Sequence, residues 1–348
     1  MAHIVLETSA GLQSFQALPG EPILASGLRA GVALPYECAT GTCGTCRART
    51  IEGDVDEGWQ RAPGRQSLKP GRREILMCQA SPRTDCRLAL LDPLGPWRVG
   101  AARPADFSSR IDRLEQLTPD LMGLSLAVSE PVAADAGQFM LLAAPQVEGF
   151  RAYSMANGEA STRRPDFIVK RQPGGAFTRW LFTEARPGDA VRLFGPLGSA
   201  VFEPSLGLDL LLAVGGSGLA PALSILARAA HDNYLGHHGA RLFLGIRSMQ
   251  DATALPQISA WTERFGASFE ATVVLSDVAA TAAEQVRWPA LRFEKGMVHD
   301  AVARGLPSPA ANTMAFLAGP PPMVDATRRV MMLTGRLPPS RIRYDKFT

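Results

Sequence analysis

The 348-residue chain is poor in several things, and each shortage narrows what it can be. It has no long hydrophobic run. Stretches such as LDLLLAV (208–214) are among its longest, far below the roughly 20 residues a bilayer span needs. Its charge is nearly balanced, with 36 Lys and Arg against 33 Asp and Glu, and no basic run stands out, so an electrostatic nucleic-acid footprint is not expected. Five cysteines in a chain this long are too few for a disulfide framework. There are no internal repeats and no low-complexity tracts. The opening MAHIVLETSA lacks the basic end and apolar core of a secretory signal, so the expected location is the cytoplasm, where thiols stay reduced. The length itself argues for two or three domains.

Three of the scarce cysteines crowd into CATGTCGTC (38–46). The spacing is Cys38, four residues, Cys43, two residues, Cys46, then a long gap to Cys78, and this is the pattern by which plant-type ferredoxins hold a [2Fe–2S] cluster on four thiolates. Gly41 and Gly44 permit positive φ, so backbone amides can turn toward cluster sulfurs, and Thr42 and Thr45 add small donors. A structural zinc site is the rival, but it usually takes two short Cys-x-x-Cys knuckles. Cys86 stands outside the ligand spacing in an alternating, strand-like run and reads as a buried structural thiol. Two short strands turning at Ser9–Gly11, a short helix ending at Gly31 and a strand in CRARTIEGDVDEG complete a stretch that resembles the β-grasp ferredoxin domain, expected over residues 1–92.

Residues 93–104, rich in proline and glycine, read as a linker. Residues 105–204 hold strand-like runs separated by turn residues, the texture of an antiparallel β-barrel. Residues 205–348 alternate continuous apolar strands with helical stretches, which indicates a parallel-sheet α/β domain. The fold class is therefore multidomain, α+β and α/β, with the three domains in that order.

In the second segment, RAYSMAN (151–157) is followed about a strand later by IVKRQPGGAFTRWLF. Gly174 and Gly175 precede a helix expected from Ala176, and bare amides at a helix start can hold an anion. Together the two stretches resemble the FAD-binding barrel of the ferredoxin–NADP reductase superfamily. The resemblance implies that Arg151 pairs with the flavin pyrophosphate, Tyr153 lies against the isoalloxazine and Ser154 bonds near N5. It also implies that Val169 and Lys170 offer backbone contacts, and that Gly174, Gly175, Ala176, Phe177 and Thr178 cradle phosphate. FGPLG (194–198) reads as the glycine-rich turn leaving the barrel.

In the third segment, LLLAVGGSGLAP (210–221) is a strand, a tight turn and a helix start. Gly215, Gly216 and Gly218, with Ser217 between, let a pyrophosphate approach the backbone. FLAGPPPMV (316–324) resembles the element that closes over the nicotinamide in the same superfamily, with Ala318-Gly319-Pro320 where relatives usually carry Cys-Gly-Pro. Hydride transfer depends on orientation more than on a protein acid or base, so activity is expected to survive the missing thiol. At the end of FEATVVLSD, Asp277 would repel a 2′-phosphate, although Arg247 could compensate. NADH is the expected nucleotide.

Ferredoxin, flavin barrel and NAD domain in this order resemble the reductase components of bacterial multicomponent oxygenases over essentially the whole chain, most of all those of toluene and xylene monooxygenases. The resemblance implies an NADH-dependent oxidoreductase that passes electrons from NADH through FAD and the cluster to a hydroxylase, or to its Rieske or ferredoxin acceptor. It further implies that Phe347, in the tail IRYDKF, covers the flavin face opposite Tyr153, so that Tyr153, Ser154 and Phe347 flank the reacting centre. A monomer with transient docking is expected, the partner approaching the Cys38–Cys46 loop beside the carboxylates of Glu37, Asp54, Asp56 and Glu57. The alternatives are a reductase serving a Rieske dioxygenase and a slow-turnover redox sensor.

Overall fold

The computed structural model describes residues 1–95, 100–306 and 310–347. Residues 96–99 of the expected linker lie outside the described residues. The chain falls into two compact units, residues 1–108 with 140–152 and 192–197, and residues 109–139 with 153–191 and 198–348.

In the first unit β1 (Ala2–Thr8) and β2 (Gly11–Ala17) form the expected hairpin, followed by α1 (Ile23–Arg29), β3 (Arg47–Glu52), β4 (Val55–Asp56), β5 (Glu74–Leu76), β6 (Ser81–Pro82) and β7 (Cys86–Leu90). Five of these strands make one sheet in the order β2-β1-β7-β3-β5. The β1–β7 pair is parallel, with Ile4 opposite Cys86 and Leu6 opposite Leu88, and all four of these side chains are buried. Strict alternation explains the register, since a slip of one residue would turn Ile4 and Leu6 to solvent. Ile23, Leu24 and Leu28 bury one side of α1, and Gly27 lets Leu34 pack against it, since a Cβ there would lie 2.4 Å from the Leu34 Cδ1.

The next strands are β8 (Ala105–Thr118), β9 (Leu121–Val128), β10 (Val132–Ala133), β11 (Phe139–Ala143), β12 (Arg151–Ser154), β13 (Ser161–Thr162) and β14 (Asp166–Lys170), then α2 (Ala176–Thr183) and β15 (Ala190–Leu197). Six form an antiparallel sheet ordered β12-β11-β15-β8-β9-β14. Its two edges approach through a bridge between Met155 and Phe167, which nearly closes the barrel. Register shifts between Ile111 and Arg113, and between Gln116 and Thr118, bend β8 as closure requires. FGPLG is not the expected turn, because β15 continues through Leu197 and the chain turns only at Gly198, φ +100°. Its apolar residues, buried to the strand's end, favour pairing over a loop.

The α/β part runs β16 (Asp209–Gly215), α3 (Leu219–His231), β17 (Ala240–Ile246), α4 (Leu255–Phe265), β18 (Phe269–Leu275), α5 (Ala282–Arg287), β19 (Arg292–Lys295), α6 (Val298–Gly305), β20 (Thr313–Gly319), α7 (Pro321–Leu333) and β21 (Ile342–Lys346). The sheet order is β19-β18-β17-β16-β20-β21, parallel throughout. The central strands are buried on both faces, which is why they read as continuous apolar runs. The order reverses between β16 and β20, and ligands bind such sheets at this switch point, beyond the carboxyl ends of the strands. The tail, expected only as a returning segment, is an edge strand paired with β20. Among the described residues no helix is long and apolar enough to cross a membrane.

Candidate functional site

The cysteine loop between α1 and β3 is irregular and held by its neighbours. The Gly64 N–H donates to the Gly41 carbonyl, and the Met77 N–H to the Cys46 carbonyl, both at 2.9 Å. Gly44 sits at φ +79°, and a Cβ there would lie 2.3 Å from the Ser67 Oγ, so a larger residue would be strained and would have to displace that hydroxyl. Backbone amides turn toward sulfur as the spacing predicts. Those of Thr40 and Cys43 donate to the Cys38 Sγ at 3.4 Å, and that of Thr45 to the Cys43 Sγ at 3.5 Å.

The four thiols gather as two pairs. The Cys43 thiol donates to Cys38 and, against the opposing effect of burial, holds it down to about pH 4, with help from the Thr42 hydroxyl. The same contact and burial push Cys43 up. In the second pair the Cys46 thiol lowers Cys78, assisted by Gln79, while Cys78 and burial raise Cys46. Two cysteine pairs ringed by amide donors have the chemistry of a [2Fe–2S] site, which Cys38, Cys43, Cys46 and Cys78 would hold, although among the described residues no group of three or more such side chains is arranged to hold a single metal ion. Cys46 and Cys78 are buried and Cys43 is exposed, so the loop has one solvent-facing side. Cys86 is 4% exposed and its thiol donates to the Thr84 carbonyl at 3.2 Å, as expected of a structural cysteine. In the expected acidic rim Asp54 and Asp56 share Arg83 and Glu57 pairs with Arg65, while Glu37, Asp54 and Asp56 are all exposed.

On the barrel, Arg151 opens β12 and its guanidinium donates to the Phe150 and Glu148 carbonyls at 2.9 and 3.4 Å. Tyr153 meets Phe177, with ring centroids 5.4 Å apart, and Ser154 is buried. Thus the two motifs named from sequence do converge. Gly174 lies at φ +72°, and Gly175 caps α2 with extended backbone ahead of Ala176. The Thr178 hydroxyl faces its own loop: it accepts from the Gln172 N–H at 3.1 Å and donates to the Gly175 carbonyl at 3.2 Å. Val169 is fully buried opposite Met122.

A cavity of about 670 Å³ opens beyond the carboxyl ends of β16, β17, β18 and β20. Its size falls in the usual range for small-ligand sites, about 300–1,000 Å³. Gly215, Gly216 and Ser217 form one wall, Gly319 and Pro320 another. Lys170, Arg247 and Phe347 also reach it. Gly218 and Ala318 stand just behind: a Cβ on Gly218 would lie 2.1 Å from the Ala318 carbonyl oxygen, so the two turns can meet only with glycine there. The Phe347 N–H donates to the Gly319 carbonyl at 2.9 Å, which fixes the tail at the cavity. Ser276 lines the cavity, and its hydroxyl donates to Asp277 at 2.6 Å.

Arg247 is not a free cation. Asp251 takes its Nε and NH2 at 2.9 and 2.8 Å, and Asp120 takes NH2 at 3.2 Å. The hydrogen bond to Asp251 raises Arg247, while burial of Asp251 is outweighed by the guanidinium, which lowers that carboxyl. Asp120, Asp251, Gln172, Met323 and His299 line the cavity and were missed from sequence. The Arg-x-x-x-Asp spacing of 247 and 251 could have flagged Asp251. Asp120 is 127 positions from Arg247 and carries no local signal.

Comparison with known proteins fits these geometries. The 2Fe–2S iron–sulfur cluster binding domain family matches residues 8–83, the oxidoreductase FAD-binding domain residues 108–202 and the oxidoreductase NAD-binding domain residues 212–329. The ferredoxin–NAD(+) reductase component of the Xanthobacter autotrophicus alkene monooxygenase system is 32% identical, over 96% of this chain and 98% of that protein. The chain belongs to the reductase components of multicomponent oxygenases. The reductase component of phenol 2-monooxygenase from Pseudomonas sp. (strain CF600) is 31% identical over 91% of this chain and 87% of its own. Among solved structures, the ferredoxin reductase in carbazole 1,9a-dioxygenase superposes with a TM-score of 0.82 at 30% identity, covering 99% of this reductase and 98% of that chain. This reductase is an NADH-dependent oxidoreductase with [2Fe–2S], FAD and NAD domains.

Proposed function

We propose that this reductase draws electrons from NADH at the cavity beyond β16 and β20, and delivers them through the Cys38–Cys43–Cys46–Cys78 site to the oxygenase component of a monooxygenase. When bound, FAD takes two electrons from NADH as one hydride and releases them singly to the [2Fe–2S] cluster. The observation that carries the reading is the composition of the cavity, which joins the glycine turns of the NAD domain to Lys170 on the barrel strand β14.

The chain's own residues bind and orient. Gly215, Gly216, Ser217 and Gly218 present backbone to a pyrophosphate. Gly319 and Pro320 form the opposite lip, with Ala318 behind them. Arg151 and Gly174 to Thr178, with Ala176 and Phe177 between, would hold the flavin phosphates, and Val169 and Lys170 would line its strand. Tyr153, Ser154 and Phe347 would flank the isoalloxazine and exclude water from the reacting centre. Asp277 disfavours a 2′-phosphate, and Arg247, neutralised by two carboxylates, offers such a phosphate little.

The domain limits that go with this reading are 1–92, 105–204 and 205–348, with 93–104 as linker. The chain acts as a cytoplasmic monomer, and the partner docks transiently at the exposed Cys43 side. A Rieske dioxygenase is the second reading for the partner, favoured by the likeness to the carbazole dioxygenase reductase. The test is anaerobic titration of purified protein with NADH. Flavin bleaching followed by loss of the cluster's visible absorbance, with cytochrome c reduced at a steady rate, supports the route. Flavin reduction with no electron reaching the cluster or cytochrome c overturns it.

A further inference from the structure

The segment leaving the flavin strand and the helix leaving the phosphate turn meet on one hydroxyl. Ser224 lies on α3, five residues beyond its first residue Leu219 and about 7.5 Å along the axis at 1.5 Å per residue. Its side chain is buried, 1% exposed. It donates to the Asn157 carbonyl and accepts from the Gly137 N–H at 3.3 Å, so both hydrogen-bonding capacities are used. Asn157 is the last residue of RAYSMAN, four positions after Tyr153 and three after Ser154. Its side chain in turn fixes the start of β14: Oδ1 accepts from the Asp166 N–H at 2.5 Å, and Nδ2 donates to the Arg164 carbonyl at 3.1 Å and to the Asp166 carboxylate at 3.2 Å. The loop can lie this close only because residue 158 is glycine. A Cβ on Gly158 would stand 2.6 Å from the Ala227 Cβ and 2.7 Å from the Arg228 nitrogen of α3.

We propose that Ser224 is a positioning residue for hydride transfer: its hydroxyl locks α3, and with it the Gly215–Gly218 turn, in register with the strand carrying Tyr153 and Ser154. The inference rests on the proposed transfer from NADH to FAD. That step moves one hydride from the nicotinamide, leaving NAD⁺ and two-electron-reduced flavin, so its rate depends on how the two rings are held against each other. Ser224 touches neither nucleotide, and its loss shifts the alignment without removing a ligand contact.

The experiment is anaerobic stopped-flow reduction of flavin-loaded protein by NADH, which separates the limiting reduction rate from the NADH dissociation constant. Ser224→Ala leaves the Asn157 carbonyl and Gly137 N–H without their partner. The limiting rate is expected to fall about 10-fold while the dissociation constant moves less than about 3-fold, the split that misorientation produces. Gly158→Ala, which presses the loop off the helix by a separate route, shows the same split. Ser224→Thr keeps the hydroxyl and keeps the wild-type rate. A folded Ser224→Ala protein with a wild-type reduction rate overturns the proposal. So does a loss that falls on the dissociation constant alone, or one that Ser224→Thr shares in full. If Ser224→Ala does not fold, Gly158→Ala and Ser224→Thr decide the matter by the same criteria. Wild-type protein that fails to reduce its flavin with NADH instead sinks the proposed function.

Discussion

The cluster loop and the nucleotide cavity do comparable work by opposite means. In the loop, function resides in side-chain identity. Three of four ligands fall within nine residues, and the fold needs only to bring Cys78 to them. In the cavity, function resides in backbone shape. Glycines and a proline from strands far apart in sequence make walls, and the charged side chains that tune them arrive from elsewhere in the fold. A site built on identity fails when one atom type is changed. A site built on shape fails when one atom is added.

The largest effect that tests this contrast is Cys43→Ser. The variant is expected to lose essentially all cluster iron and visible cluster absorbance yet retain NADH reduction of flavin, while Cys86→Ser keeps both. Iron analysis with flavin stopped-flow checks it, and an intact cluster in Cys43→Ser breaks the comparison. Gly218→Ala comes next. Its Cβ would meet the Ala318 carbonyl oxygen at 2.1 Å, a clash with backbone that cannot rotate away. Overpacking of this kind costs about 1–3 kcal/mol, so NADH affinity should fall roughly 5- to 150-fold with the cluster spectrum intact. The NADH dissociation constant from anaerobic stopped-flow reduction of the flavin-loaded protein checks this.

Smaller changes sharpen the shape side. Asp277→Arg replaces a repelling charge by a phosphate partner, and NADPH should gain about 10-fold in kcat/KM relative to NADH. A wild-type preference for NADPH would defeat the charge argument altogether. Phe347→Ala removes a ring held at the cavity through the Gly319 carbonyl. Stacking worth about 0.5–1.5 kcal/mol is lost. Flavin should loosen a few-fold, and peroxide formed per NADH should rise when no acceptor is present. Unchanged flavin retention after gel filtration together with unchanged peroxide would place Phe347 away from the isoalloxazine.

The same contrast explains what the sequence made legible. Cys38, Cys43, Cys46 and Cys78 could be read because ligand spacing is a local pattern, and LLLAV and TMAFLAG because strands buried on both faces are continuous apolar runs. The edge strands β19 and β21 escaped notice: RFEK and IRYDK carry charges on their exposed sides, so they lack that texture. FGPLG misled because glycine and proline usually mark turns, whereas here they end a buried strand. At the acidic rim the sequence shows the carboxylates but not their partners. Arg83 and Arg65 are 27–29 and 8 positions away along the chain and pair with them only in space. Arg247 was recognised as a cation, but its neutralisation by Asp120 could not be, because that pairing exists only once the β8–β9 turn and β17 are folded together.

Cys86 has a chemical consequence beyond packing. With Ala318 in the nucleotide turn and Cys86 sealed at 4% exposure, the chain offers an alkylating or oxidising reagent no accessible thiol apart from the four at the cluster site. Maleimide uptake under native conditions therefore counts lost clusters rather than damaged enzyme in general. Outside the cluster site, the sulfur that peroxide would meet is methionine, such as Met297 at the cavity, 53% exposed, and the sulfoxide formed there is reversible.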